Sequence, residues 1–262
     1  MIDLSLEKLA ILYAMLILPM VLIYRYSPTI LKSAIISVFR MTGQLFFIGF
    51  YLKYIFEYNS IWLNMLWVAV MVIAANLTIT KQSGLRNRYM FMPTALGLIL
   101  STMLMSGVLI LLVVSPTPFY DARYLIPLTG MILGNSLRSN VLALERFYSE
   151  IKKEKEAFIG YLLMGATLSE AIKPYLSHAM KTALNPFIAT MTTIGLVSLP
   201  GMMTGQILGG SFPFVAVKYQ IAIVICIFCS MTLTAYLNIR FSVRSAFNEY
   251  NMLEENIFLK TN

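Results

Sequence analysis

Ser198, Met202 and Gln206 stand four residues apart, and Met131 and Asn135 repeat that spacing in an earlier segment. On a helix each set falls on one face. Hydroxyl, thioether and side-chain amide are neutral donors. Thioethers suit soft ions such as Cu(I) better than hard Fe(III), and neutral groups can pass a cation along without trapping it. The later set, with Met203 beside it, belongs to Ser198 and the run Leu199–Gly210, LPGMMTGQILGG. That run holds a proline, four glycines, a threonine and a glutamine inside an apolar stretch long enough to cross a bilayer. Lipid offers freed backbone groups no partner, so such a break persists only where protein or a water-filled cavity covers it. It is a candidate passage for a polar solute, in which Pro200 would free the Leu196 carbonyl.

The two segments share a form. Gly130-Met131-Ile132-Leu133-Gly134-Asn135 and Gly201-Met202-Met203-Thr204-Gly205-Gln206 both read GMxxG followed by a side-chain amide. Glycines four apart, with Gly209 a further turn on, allow helices to approach closely. At about 1.5 Å per residue, Met131 and Met202 come to similar depths, about 12–13 Å, on antiparallel neighbours. Two readings stand: a passage lined by Met131, Asn135, Ser198, Met202, Met203 and Gln206, or a packing seam with methionine as gap-filler. No firm metal site is expected, since no histidine or carboxylate cage exists; Met131 and Met202 would be weak transit ligands. No resident cofactor is expected. Cys226 and Cys229 read as two small buried thiols in an apolar helix.

The elements that must position these residues are membrane helices. Hydrophobic residues make up 58% of the chain, charged residues 12%, and mean hydropathy is +0.75. About seven spans are expected, at roughly 4–24, 33–52, 61–80, 91–114, 122–140, 186–210 and 216–238. The fold class is an all-α integral membrane protein, a single transmembrane domain over 1–262. The first run reads as a retained span, because it lacks a basic start and a small-residue cleavage site. Sixteen basic and eight acidic residues fall on one side of this arrangement, against four and four on the other. The positive-inside rule then puts the N-terminus outside and the C-terminus in the cytoplasm of a multi-pass plasma-membrane protein, the inner membrane of a bacterial cell. Topology accounts for the net charge of +8, so no nucleic-acid partner is expected; lipid is. Arg40, with Gln44 one turn on, reads either as snorkelling to the cytoplasmic face or as part of the pathway.

Several chemistries are excluded. No GxxxxGK[ST] phosphate loop occurs. The single histidine, His178, has no nucleophile pattern beside it, and no acid or histidine sits deep in a span as a proton relay. Energy for pumping would come from a partner. The longest connection, about 141–185 between the fifth and sixth spans, is cytoplasmic and helical. Leu137, Val141, Leu144, Tyr148 and Ile151 form an amphipathic stripe that continues the fifth span, with Arg146/Glu150 and Lys152/Glu156 at pairing distance. Thr167-Leu-Ser-Glu170 has capping-box form. Pro174 should end the helix it starts, leaving a short capped helix over Leu168–Lys173. Asn185-Pro186 should open the sixth span. The capped helix is either a surface connection or a docking element for a partner.

Pro127 with Gly130–Asn135, Asn185-Pro186, SLPGMMTGQIL from Ser198, and Tyr219-Gln220 resemble the permease family of the bacterial FetB iron exporter and the plant aluminium-tolerance ABC permeases. The resemblance spans about residues 5 to 245. It implies the membrane subunit of an ABC transporter, two copies working with two separate ATPase subunits, linked in bacteria to iron export and metal homeostasis. It implies no enzyme activity in this chain. The loop carrying Thr167, Glu170 and Pro174 resembles in placement the coupling helix of ABC permeases. An ABC permease for a non-metal solute, and a membrane scaffold that transports nothing, are the alternatives.

Overall fold

Apolar runs with few charges must satisfy their backbone groups internally, which in lipid favours helix. The computed structural model describes residues 5–259, and every regular element among them is helical. Asp3, Lys260 and the first residue of the expected first span lie outside the described residues.

The chain divides into two units at Tyr58. The first holds α1 (Leu6–Met15), α2 (Ile17–Tyr26) and α3 (Pro28–Tyr58). Here the Tyr13 hydroxyl hydrogen-bonds that of Thr42, and Arg40 and Gln44 are exposed on α3.

The second unit holds α4 (Ile61–Gln82), α5 (Asn87–Gly107), which runs on as a π-helical stretch over Val108–Val114, and α6 (Ala122–Lys153). Then come α7 (Lys155–Leu163), α8 (Leu168–Ala171), α9 (Lys173–Thr193), α10 (Gly201–Leu208) and α11 (Pro213–Ala246). Five stretches among the described residues are long and apolar enough to cross a membrane: Glu7–Tyr26, Pro28–Tyr58, Ile61–Gln82, Asn87–Val114 and Pro213–Ala246. The segments expected as fifth and sixth spans lie in α6 and in α9–α10. α6 packs against α4, α5, α9 and α11. Protein therefore covers its Ser136, Ser139 and Asn140, and it can be more polar than a helix facing lipid.

Side-chain hydrogen bonds fix the helix directions. Ser136, Asn140 and Tyr148 of α6 meet Ser230, Asn238 and Ser242 of α11 in the same order, at 3.0, 2.8 and 2.6 Å, so α6 and α11 run parallel. Ser101 of α5 meets Thr234, while Gly97 lies against Asn238, so α5 runs antiparallel to α11. The stripe expected on the extension of the fifth span is real. α6 is continuous to Lys153, and Leu144, Tyr148 and Ile151 are buried with Phe147, Phe158 and Tyr175 in one core.

The α4–α5 turn is closed by the end of the chain. Gly84 takes a left-handed φ of 72°, Leu85 is 1% exposed, and Arg86 N donates to Ile257 O at 2.7 Å. Leu259 N returns a bond to Gly84 O at 2.8 Å. Lys152, from the far end of α6, lies 4.4 Å above the Phe258 ring rather than pairing with Glu156.

Three local expectations are corrected. Asn185-Pro186 lies inside α9, not at a helix start, because the residues from Lys173 are already helical. The capped helix α8 stops at Ala171, and Pro174 sits in the first turn of α9, where a proline amide is not required. Cys226 is buried, but Cys229 on the same helix is exposed.

Candidate functional site

The broken segment is built from residues that cannot continue a helix. α9 stops at Thr193; Gly195 turns the chain with φ 88°, and its amide donates to Ser198 O at 2.9 Å. Pro200 then caps α10, and its carbonyl accepts from Thr204 N at 3.0 Å. At the other end Gly210 takes φ 96°. Gly209 N reaches Gly205 O and Ser211 N reaches Gln206 O, both at 2.9 Å, a glycine-terminated helix end. α10 is thus an eight-residue helix with a turn at each end.

This geometry changes the expected line of donors. Met202 and Gln206 do share a face of α10, but Ser198 precedes the helix and is exposed. Leu196, 90% exposed, belongs to no helix that Pro200 could interrupt. The proline starts a helix here; the glycine turn makes the break.

Met131 of α6 and Met202 of α10 both pack against one apolar cluster that includes Leu128, Ile132, Ile223 and Ile227, as do Phe187 and Tyr219. Asn135 takes another place. Its amide donates to Met131 O at 2.9 Å, and it lines a cavity of about 230 Å³ with Arg138, Ser139, Pro186 and Thr190. Met203 lines a second cavity, of about 420 Å³, with Met191, Gly195, Leu199 and Gln220. The side-chain oxygens of Gln206 and Gln220 are both buried without a hydrogen-bond partner. A buried carbonyl oxygen that lacks a donor is costly unless water or a cation meets it, and these two lie on the packed pair α10 and α11. Gln220 was not singled out from the sequence as a lining residue. Its signal was an amide side chain close after the proline that begins an otherwise apolar helix.

The glycines behave less uniformly than GMxxG suggests. A Cβ on Gly130 would lie 3.0 Å from Met71 Cε, a close approach. On Gly134, Gly201 or Gly205 it would meet nothing within 4 Å, and on Gly209 only the helix's own backbone. The tightest contact is at Gly97, where a Cβ would fall 2.0 Å from Asn238 Oδ1.

The capping box forms as expected. Thr167 N donates to Glu170 Oε2 at 2.8 Å, and Glu170 N to Thr167 Oγ1 at 3.4 Å. The Thr167 hydroxyl bonds the same carboxylate at 2.7 Å and holds the Glu170 carboxyl below its ordinary range. Leu168 packs on the core while Thr167, Ser169 and Glu170 face outward. His178 pairs with Glu150 at 3.1 Å, and Arg146 reaches the same oxygen at 3.2 Å, which ties α9 to α6. Among the described residues no group of three or more His, Cys, Asp or Glu is placed to hold a metal.

Residues 6–247 match the model of an uncharacterised protein family, UPF0014. The Synechocystis UPF0014 membrane protein slr1647 is 35% identical over 210 residues, covering 80% of this chain and 81% of the relative. The Bacillus subtilis UPF0014 membrane protein YjkA is 33% identical over 226 residues, 86% and 88% of the two chains. The Escherichia coli probable iron export permease protein FetB is 28% identical over 247 residues, 94% of each. No solved structure matches the chain.

Proposed function

Because the chain belongs to the UPF0014 family and is a multi-pass membrane protein, we propose that it is the permease subunit of an ABC transporter. Its cargo is iron or another metal ion or complex, exported with energy from a separate ATPase subunit. The Escherichia coli relative is named for iron export. The observation that carries the proposal is the break between α9 and α10. Beside it Met202 packs on the apolar cluster that Met131 of α6 also borders, and the side-chain oxygens of Gln206 and Gln220 are buried without donors. Neutral thioethers and amide oxygens make weak, quickly exchanging ligands, which transit requires.

In this proposal α6 and α9–α10 complete seven spans around a single permease domain, with the N-terminus outside and the C-terminus in the cytoplasm. Two copies assemble, and the open faces of Gly134, Gly201 and Gly205 are offered to the second. The exposed edge of α8, Thr167 to Glu170, docks on the ATPase. The stripe Leu144, Tyr148 and Ile151 is already used in the chain's own core, which leaves α8 as the better coupling element.

The test is ATP-dependent iron uptake into inside-out vesicles holding this chain and an ATP-binding subunit. Iron should accumulate and should stimulate ATP hydrolysis. Stimulation by a non-metal solute alone would assign the permease another cargo, and no ATP-dependent uptake of any solute would leave a scaffold.

A further inference from the structure

Lys81, Arg86 and Arg88 line one cleft of about 630 Å³ at the α4–α5 turn, with Asn87 and the apolar walls Leu77, Leu85 and Leu259. None of the three basic side chains has a carboxylate within ion-pair distance among the described residues; the ion pairs formed there involve Arg123, Arg146, Lys155 and His178. Lys81 and Arg88 are exposed and Arg86 half-buried, so the cleft presents positive charge to an approaching anion. The cleft is also firmly built. Arg86 N is bonded to Ile257 O at 2.7 Å and Leu259 N to Gly84 O at 2.8 Å, so the turn and the end of the chain hold the walls in place. Asn87 is held by the Thr80 hydroxyl, which donates to its side-chain oxygen. The flanking helices are two of the candidate membrane spans, which puts charged rim and apolar wall where a lipid headgroup meets its acyl chains.

We propose that this cleft binds an anionic phospholipid, its phosphate between Lys81, Arg86 and Arg88 and an acyl chain along the exposed Leu77 and Leu259. The site shares no residue with the candidate passage, and the proposal does not rest on the transport reading. Basic clusters at the ends of membrane helices recognise anionic headgroups, with about a fivefold gain in binding per charge. Three charges correspond to a factor on the order of a hundred.

The experiment is native mass spectrometry of the full chain in a neutral detergent, titrated with phosphatidylglycerol or phosphatidylcholine. Phosphatidylglycerol should be retained at a site that phosphatidylcholine does not fill. The triple variant K81Q/R86Q/R88Q should weaken retention by about a hundredfold. Arg86→Lys with Arg88→Lys should keep most of it, and Arg240→Gln with Arg244→Gln should change nothing. Equal retention of both lipids, or undiminished binding by the triple variant, overturns the proposal. So does displacement of the lipid by millimolar inorganic phosphate, which would mark a free-phosphate site. Loss of ATPase-subunit binding in the triple variant, with lipid retention intact, would assign the cleft to an acidic protein surface instead.

Discussion

The side-chain amide of Asn238 donates to Asn140 Oδ1 across 2.8 Å, deep between α11 and α6. Asn140 passes its own amide to Ser136 O at 2.6 Å. Gly97 of α5 leaves the room that Asn238 occupies. Three helices therefore meet at one asparagine, and their register depends on it.

Gly97→Ala should be strongly destabilising. The added methyl would lie 2.0 Å from Asn238 Oδ1 and 3.1 Å from Asn238 N, so backbone as well as side chain must shift. Overpacking of this kind costs about 1–3 kcal/mol. Asn140→Leu should cost less, under about 2 kcal/mol, as buried polar pairs between membrane helices do. Gly107→Ala, at the end of α5, meets nothing within 4 Å and should not destabilise. Thermal unfolding in detergent ranks the three, and an unshifted midpoint for Gly97→Ala would show that α5 does not lie where it is placed.

Met202→Leu keeps volume and apolarity and should cost under about 1.5 kcal/mol in packing. A several-fold loss of metal export at matched membrane levels would then report on the sulfur. Gln206→Leu and Gln220→Leu should each reduce export and raise stability slightly, since a buried oxygen without a donor is removed. If all three variants export at the unmodified rate, the α9–α10 segment is a packing seam.

Glu170→Pro removes the amide that bonds Thr167. It should uncouple ATP hydrolysis from transport while the protein still reaches the membrane. The box also has a pH signature. The Glu170 carboxyl titrates below its ordinary 4.5, held there first by the Thr167 side chain. Its contribution is whole above that ordinary value and is lost as pH falls through the lower folded one. The protection factors of the Thr167 and Glu170 amides, their exchange rates taken relative to the intrinsic rate at the same pH, should fall over that acid window and hold level on the alkaline side. Thr167→Ala should abolish the dependence.

Topology can be read by labelling. With Cys226→Ala and Cys229→Ser as background, Glu154→Cys should resist an impermeant thiol reagent in intact cells, and Thr117→Cys should react. Both positions are exposed. The reverse pattern would invert the chain in the membrane.

What was legible in the sequence was local. The capping box needs only Thr167 and Glu170, and the stripe from Leu137 to Ile151 needs only helical spacing, so both were readable. Pro200 was legible as a disturbance, yet its effect depended on Gly195, whose left-handed turn ends the preceding helix first. Pro186 looked like a helix start because Asn185 precedes it, whereas the helix had begun at Lys173. The pairs Ser136–Ser230, Asn140–Asn238 and Tyr148–Ser242 could not be read at all. Scattered serines and asparagines become partners only once α6 and α11 are known to run parallel. Likewise, spacing makes Gly205 and Gly130 equivalent, but only Gly130 has a neighbour in this chain.

The bonds between α6 and α11 divide the second unit mechanically. Sliding one helix a turn past the other would break the Ser136–Ser230, Asn140–Asn238 and Tyr148–Ser242 pairs at once, in a buried seam where water does not replace them. The pair is a stator. Among the described residues no side chain of α10 hydrogen-bonds another helix, its Thr204 hydroxyl turning back to Pro200 O; Met202 packs on an apolar cluster, and the helix lies between the turns at Gly195 and Gly210. A shift of α10 should therefore cost less than a shift of α6 against α11.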